Sequence, residues 1–172
     1  FLPVQLIIKK FLIIIFFVTC LYITNYSSSV AKNIDDYGVV ALMYHRFEEN
    51  KYPSTNIRIA DFRKQLELIE KQNISFLKAN EMEDAIKLEK NKRKVLLTID
   101  DAFLSFYENA WPVLKQKKIP FILFVSTKEV GNFNYMNWEQ IKEISNENFV
   151  HIGNHSDSHG YLVDKNPEEI KI

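Results

Sequence analysis

The sequence predicts an α/β fold built on a parallel sheet, and three observations carry that expectation. Short, continuously apolar runs at 39–44 (VVALMY), 95–99 (VLLTI) and 121–125 (FILFV) read as strands buried on both faces. Segments with apolar residues at helical spacing separate them, and strands alternating with helices imply parallel pairing through right-handed crossovers, in an open sheet or a barrel. Polar residues suited to chemistry (His45, Asp100, Asp101, His155 and His159) follow strand ends directly or within a few residues, where sites in such folds lie.

Taken in order, the chain opens with Lys9 and Lys10, an apolar run at 11–24 and a polar stretch closing on Ser29-Val30-Ala31, a pattern that suits signal peptidase. The apolar run falls short of the roughly 20 residues that span a bilayer. Residues 1–31 therefore read as a cleaved signal peptide in preference to a membrane anchor, and either implies export: extracellular, cell surface or periplasmic. Membrane contact is expected only through residues 1–31 if they stay uncleaved. Phe17-Val18-Thr19 before Cys20 does not suit a lipoprotein signal. The first residue is Phe rather than Met, so the true start is expected elsewhere. Residues 32–172 read as one domain. The 172-residue chain is 47% hydrophobic and 13% aromatic, a globular composition, and its four glycines and lack of repeats leave no interdomain linker.

After the 39–44 strand, residues 61–72 place Phe62, Leu66 and Ile69 on one helical face. Residues 74–77 read as a short strand, and Asn80 with Glu83 resembles a capping box opening a helix over 81–90. The 95–99 strand leads into a helical pattern over 103–117 through Phe106, Ala110, Val113 and Leu114, in which Pro112 should start or kink a helix. Beyond 121–125, Asn137 with Gln140 suggests an N-cap for a helix through Ile141 and Ile144. Residues 149–152 read as a last strand, and Pro167 opens a further helix.

Charge narrows the partners. Lys plus Arg equals Asp plus Glu at 22 each, so nothing points to nucleic acid. Cys20 is the one cysteine, which excludes an intrachain disulfide framework and a thiolate cluster. Any metal must be held by His, Asp or Glu.

Two motifs carry chemistry. Asp100-Asp101 follows its strand without a break, and adjacent carboxylates can share one site only where the strand ends and the backbone turns; the competing reading is a polar turn with Asp as a helix cap. His155 and His159 stand four apart, a spacing that places two imidazoles on one side of a helical turn, though such pairs are often plain surface histidines. Together, two His and one carboxylate supply three ligands and leave a position open, as a hydrolytic Zn²⁺ requires.

Thr98-Ile99-Asp100-Asp101-Ala102 and His155-Ser156-Asp157-Ser158-His159 resemble, in order, the Thr-Phe-Asp-Asp-Gly and His-Ser/Thr-x-x-His motifs of the NodB-homology polysaccharide deacetylases. The resemblance runs from about Val40 to Leu162 and includes Leu42-Met43-Tyr44-His45-Arg46, Phe121 to Thr127 and Met136-Asn137-Trp138. It implies a distorted (β/α) barrel with Asp100 as general base and Asp101 binding metal with His155 and His159. The implied activity is metal-dependent hydrolysis of N-acetyl groups from an amino-sugar polysaccharide. Zn²⁺ suits the ligand set, which also accepts Co²⁺, Ni²⁺, Mn²⁺ or Fe²⁺.

Two departures stand out. Ala102 replaces the family's Gly, which is acceptable only at negative φ. The chain ends at Ile172 without a counterpart of the later motifs, an Arg that orients the base and a His acting as general acid. The barrel is therefore expected to be incomplete at the C-terminus, with exposed sheet edges and poor solubility. The competing functional reading is a truncated, inactive deacetylase-like chain that binds only metal or glycan. A phosphoesterase or peptidase lacks support, because no Gly-rich phosphate loop or His-Glu-x-x-His helix is present. Met43-Tyr44-His45 and Tyr52-Pro53-Ser54-Thr55-Asn56 resemble the branch acting on exported poly-N-acetylglucosamine, so His45 is either site-lining or a hydrogen-bonded strand-end histidine. Trp138 and Tyr135 could stack on a sugar but read more readily as core.

Overall fold

The structure, a computed structural model, describes residues 38–87 and 93–170. The expected signal segment, with Cys20, lies outside them. Five parallel strands form one sheet. β1 (Gly38–Tyr44) pairs along its whole length with the strand Arg93–Ile99, from Gly38 opposite Arg93 to Tyr44 opposite Ile99. Between them in sequence come two short strands, β2 (Arg46–Phe47) and β3 (Asn56–Ile57), which pair only with each other, and β4 (Ser75–Phe76). Arg93–Ile99 is thus β5, and its other edge is shared by β4 near its start and β6 (Phe121–Val125) at its end. β7 (Val150–Asn154) pairs with β6 and forms the second edge.

One face of the sheet is covered by helices. α1 (Ile59–Lys71) buries Phe62 and Leu66, the residues its helical spacing predicted. Phe62 meets Tyr44 and Phe47 edge-on, at centroid distances of 5.1 and 5.0 Å. α2 is Met82–Lys87, shorter than the 81–90 expectation, of which 88–90 lie outside the described residues. Its entry differs too: the Glu81 carboxylate accepts from the Lys78 N–H at 3.2 Å, so the reciprocal contact falls two residues before Asn80 and Glu83. The 103–117 helix is broken as Pro112 demands. A π-helical turn, Phe106–Ala110, precedes α3 (Trp111–Lys117), which carries Pro112 in its first turn, where its missing N–H costs nothing. α4 (Trp138–Ser145) has the predicted cap, Asn137 and Gln140 exchanging side-chain-to-backbone bonds of 2.9 Å. α5 (Pro167–Ile170) starts at the predicted proline. No helix of the described residues is long and apolar enough to cross a membrane.

Strand alternation divides β5 between two surroundings. Val95, Leu97 and Ile99 join Phe121, Leu123 and Val125 in a core with Leu66, Leu114 and Ile144 from the helices. Leu96, Thr98, Ile122 and Phe124 point to the other face and lie outside that core. β1, an edge strand, is covered less: Tyr44 is buried and Leu42 part-buried in the helix-side core, whereas Val40 is 53% and Met43 63% exposed. The expectation of burial on both faces therefore holds for β5 and fails for β1, since apolar composition cannot report a strand's place in the sheet.

Candidate metal centre

Three strand ends build the site. Tyr44 closes β1 and His45 follows it; Ile99 closes β5 and Asp100-Asp101 follow; Asn154 closes β7 and His155 follows. The Asp100 N–H donates to the Tyr44 carbonyl at 2.8 Å, so the β1–β5 ladder runs on to the first carboxylate.

The backbone then turns sharply. Asp101 and Ala102 both adopt left-handed conformations, φ 70° and 56°, which overturns the expectation of a negative φ at Ala102. Such conformations cost about 1 kcal/mol or more per residue with a Cβ and persist only where the surroundings enforce them. Here Met136 N–H donates to Ala102 O at 2.9 Å and Leu104 N–H to Asn134 O at 2.8 Å, so the segment before α4 holds the turn. The turn brings both carboxylates to one site, as the strand-end argument required.

The histidines arrive differently. Residues 155–161 form no α-helix, and Ser156 and His159 have φ of 63° and 54°. The predicted helical turn is thus a loop, curled by left-handed residues so that the two rings meet. It hangs on the end of β6. His155 N–H donates to Val125 O at 3.0 Å, the buried Ser126 hydroxyl donates to His155 O at 3.1 Å, and the Thr127 hydroxyl donates to Asp157 Oδ1 at 2.7 Å. Sequence reading counted Ser126 and Thr127 in the family resemblance but gave them no role, because nothing in a polar pair after a strand tells which loop it will hold.

Asp101 Oδ1 lies 3.5 Å from His155 Nε2 and 3.4 Å from His159 Nε2, and the two nitrogens are 3.1 Å apart. Around an ion with ligand bonds near 2.0–2.1 Å, tetrahedral angles put neighbouring donors about 3.4 Å apart, so this set fits one divalent cation. Among the described residues, the only group of His, Cys, Asp and Glu with this convergence is Asp101, His155 and His159.

Asp100 stands beside the triad. Its Oδ2 is 3.9 Å from His45 Nε2 and 4.0 Å from His155 Nε2. Oδ1 is buried without a hydrogen-bond partner among the described residues. Burial raises the Asp100 carboxyl above its ordinary value, with the Asp101 charge adding to the effect and His45 and His155 opposing it. The structure places the His45 ring near the Asp100 carboxylate, with its side chain 17% exposed. Trp138, by contrast, is 55% exposed rather than core. Tyr135 is half-buried, stacked at 4.8 Å on Phe103.

A parallel α/β sheet with a carboxylate and two imidazoles converging beyond its strand ends, and a second carboxylate adjoining them, is an arrangement that can hold one divalent cation and leave a position open. The polysaccharide deacetylase family profile matches residues 87–172, half of the chain, and this protein belongs to that family. A poly-β-1,6-N-acetyl-D-glucosamine N-deacetylase of Staphylococcus aureus is 42% identical over 52 residues, 30% of this chain and 18% of the relative. Among solved structures, IcaB from Ammonifex degensii matches with TM-score 0.62 and 37% identity over 69% of this chain and 53% of that one. The Streptococcus pyogenes deacetylase PplD, in complex with acetate, matches with TM-score 0.65 and 25% identity over 76% and 62%. The chain thus spans about half of the IcaB structure and a smaller part of the S. aureus enzyme.

Proposed function

We propose that this chain carries the metal ligands and the base of a polysaccharide N-deacetylase that hydrolyses acetamido groups of an amino-sugar polymer. The triangle of Asp101, His155 and His159, with edges of 3.1 to 3.5 Å and Asp100 alongside, is the observation that supports it. Asp101, His155 and His159 would hold the cation, with Zn²⁺ preferred for two imidazoles and one carboxylate. When bound, the cation supplies Lewis acidity toward water and toward the amide carbonyl.

Asp100 takes the proton from the attacking water. Burial raises this carboxyl in the metal-free chain, and a cation held by Asp101, His155 and His159 would favour its ionised form, the form a base needs. His45, with Nε2 3.9 Å from Asp100 Oδ2, would line the site and act on that carboxylate through its charge. The substrate is of the poly-N-acetylglucosamine type, a reading supported by the S. aureus relative's name, and the polymer is met after export directed by residues 1–31.

A second reading rests on the unpartnered Asp100 Oδ1: without a donor to orient it, the base is poorly held, and the chain binds metal or glycan without turnover. Acetate release from N-acetylglucosamine oligomers by Zn²⁺-loaded protein, with Asp100→Asn as control, separates the two. Release abolished by the substitution supports the deacetylase. Metal uptake without release supports the second reading, and no metal uptake overturns the first and leaves only glycan binding of the second.

A further inference from the structure

We propose that Arg46 is a positioning residue for the metal site: it stacks on Phe103 and thereby locks the left-handed Asp101–Ala102 turn that aims the Asp101 carboxylate. The inference rests on the reading of Asp101 as a metal ligand and adds a residue that touches no part of the triad.

The Arg46 guanidinium lies over the Phe103 ring, 3.6 Å from its centroid, and 4.5 Å from the Tyr52 ring, between two aromatic faces. It is held there from its own side. Nη1 donates to the Thr55 hydroxyl at 2.9 Å, Nε lies 3.4 Å from Glu49 Oε2, and the backbone N–H donates to Thr55 O at 3.0 Å. Glu49 in turn accepts from the Ser105 hydroxyl at 2.6 Å, and that hydroxyl accepts from the Phe47 N–H at 3.3 Å. The β2–β3 segment therefore clamps the 103–105 stretch at two points, one a stacked cation and the other a hydrogen-bonded carboxylate.

Phe103 follows the strained pair directly. Its ring also packs, tilted, against Tyr135, with centroids 4.8 Å apart, and the two residues pair in an isolated antiparallel bridge. The turn is thus gripped between the 134–136 backbone and the Arg46 stack. Two consecutive non-glycine residues at positive φ relax toward the right-handed regions unless both grips hold. If Phe103 were released, the turn would relax and Asp101 Oδ1 would leave its position 3.4–3.5 Å from both imidazoles. A flat guanidinium is required for this stacking, and an ammonium cannot replace it.

The test measures Zn²⁺ affinity by chelator competition and the visible spectrum of the Co²⁺-loaded protein. It uses the full chain and its Arg46→Met, Arg46→Lys, Ala102→Gly and Arg46→Met/Ala102→Gly variants, with circular dichroism checking the fold. Arg46→Met and Arg46→Lys should each weaken Zn²⁺ binding about 10-fold or more, in the range seen when outer partners of metal ligands are lost, and should alter the Co²⁺ spectrum. Adding Ala102→Gly should restore part of the affinity, because glycine keeps the positive φ without help. Unchanged Zn²⁺ affinity and Co²⁺ spectrum in both Arg46 variants would overturn the proposal, as would loss of affinity that Ala102→Gly does not relieve. If Arg46→Met fails to fold, Arg46→Lys, which keeps the aliphatic stem, decides the matter alone. Failure of the unsubstituted chain to bind metal would sink the underlying metal reading, an outcome distinct from a parent that binds and variants that bind equally well.

Discussion

The two halves of the candidate metal centre are built to different standards. The aspartates follow β5, which has neighbours on both edges and buries Val95, Leu97 and Ile99 in the main core. The histidines follow β7, an edge strand, on a loop fastened to β6 by a few hydrogen bonds. The Asp101 side chain is 14% exposed, whereas that of His159 is 58% exposed. A site assembled this way has one rigid jaw and one compliant jaw, so cation binding should order the histidine loop more than the aspartate turn.

The largest expected effects lie on the rigid side. Asp100→Asn should lower acetate release by about 10²–10⁴-fold while leaving metal affinity nearly intact, since general-base catalysis contributes on that scale. Equal loss of metal from this variant would show that the two aspartates do not divide the work. Leu97→Ala, in the fully buried centre of β5, should cost about 2–5 kcal/mol in chemical denaturation. A cost under about 1 kcal/mol there would mean that β5 is not the rigid jaw.

The pH dependence of the metal-free chain sharpens the comparison further. Because burial raises the Asp100 pKa, the folded state holds its proton more tightly than the unfolded chain does. Its contribution to stability is therefore full below the ordinary carboxylate value and is lost as pH rises through the raised one. Relative to the parent, metal-free Asp100→Asn should gain in thermal midpoint as pH rises above the ordinary carboxylate value. Parallel pH curves for the two proteins would contradict that.

The smallest effect concerns the compliant jaw. Adding Zn²⁺ should slow amide hydrogen exchange in residues 155–161 more than in 100–104, where the apo chain is already ordered. Equal protection of both segments would abolish the distinction between the jaws.

Much of this was legible in the sequence, and the misses share one cause. β5 and β6 were readable because a strand buried on both faces must be apolar throughout. β1 carries the same composition, yet Met43 is exposed, because edge position depends on which strands pair, a long-range property. The Asn137–Gln140 cap was readable because the interaction is closed within one helical turn. The Asn80–Glu83 cap was misplaced because two carboxylates near one helix start compete, and the path of the incoming chain selected Glu81.

At the site, the residue types and their order pointed to a candidate ligand set by themselves: two adjacent carboxylates after a strand, and two histidines four apart, suffice to name it, while the roles came from the family resemblance. Tertiary structure alone decided how they meet. The His155–His159 spacing works through a loop with left-handed residues rather than a helical turn, and Ala102 holds a positive φ that its side chain disfavours. Both are states a local sequence would not choose, held by hydrogen bonds from β6, from 134–136 and, by our inference, by Arg46. Composition and spacing record what a segment prefers; which disfavoured backbone states survive depends on contacts distant in sequence, and these exist only once the sheet has formed.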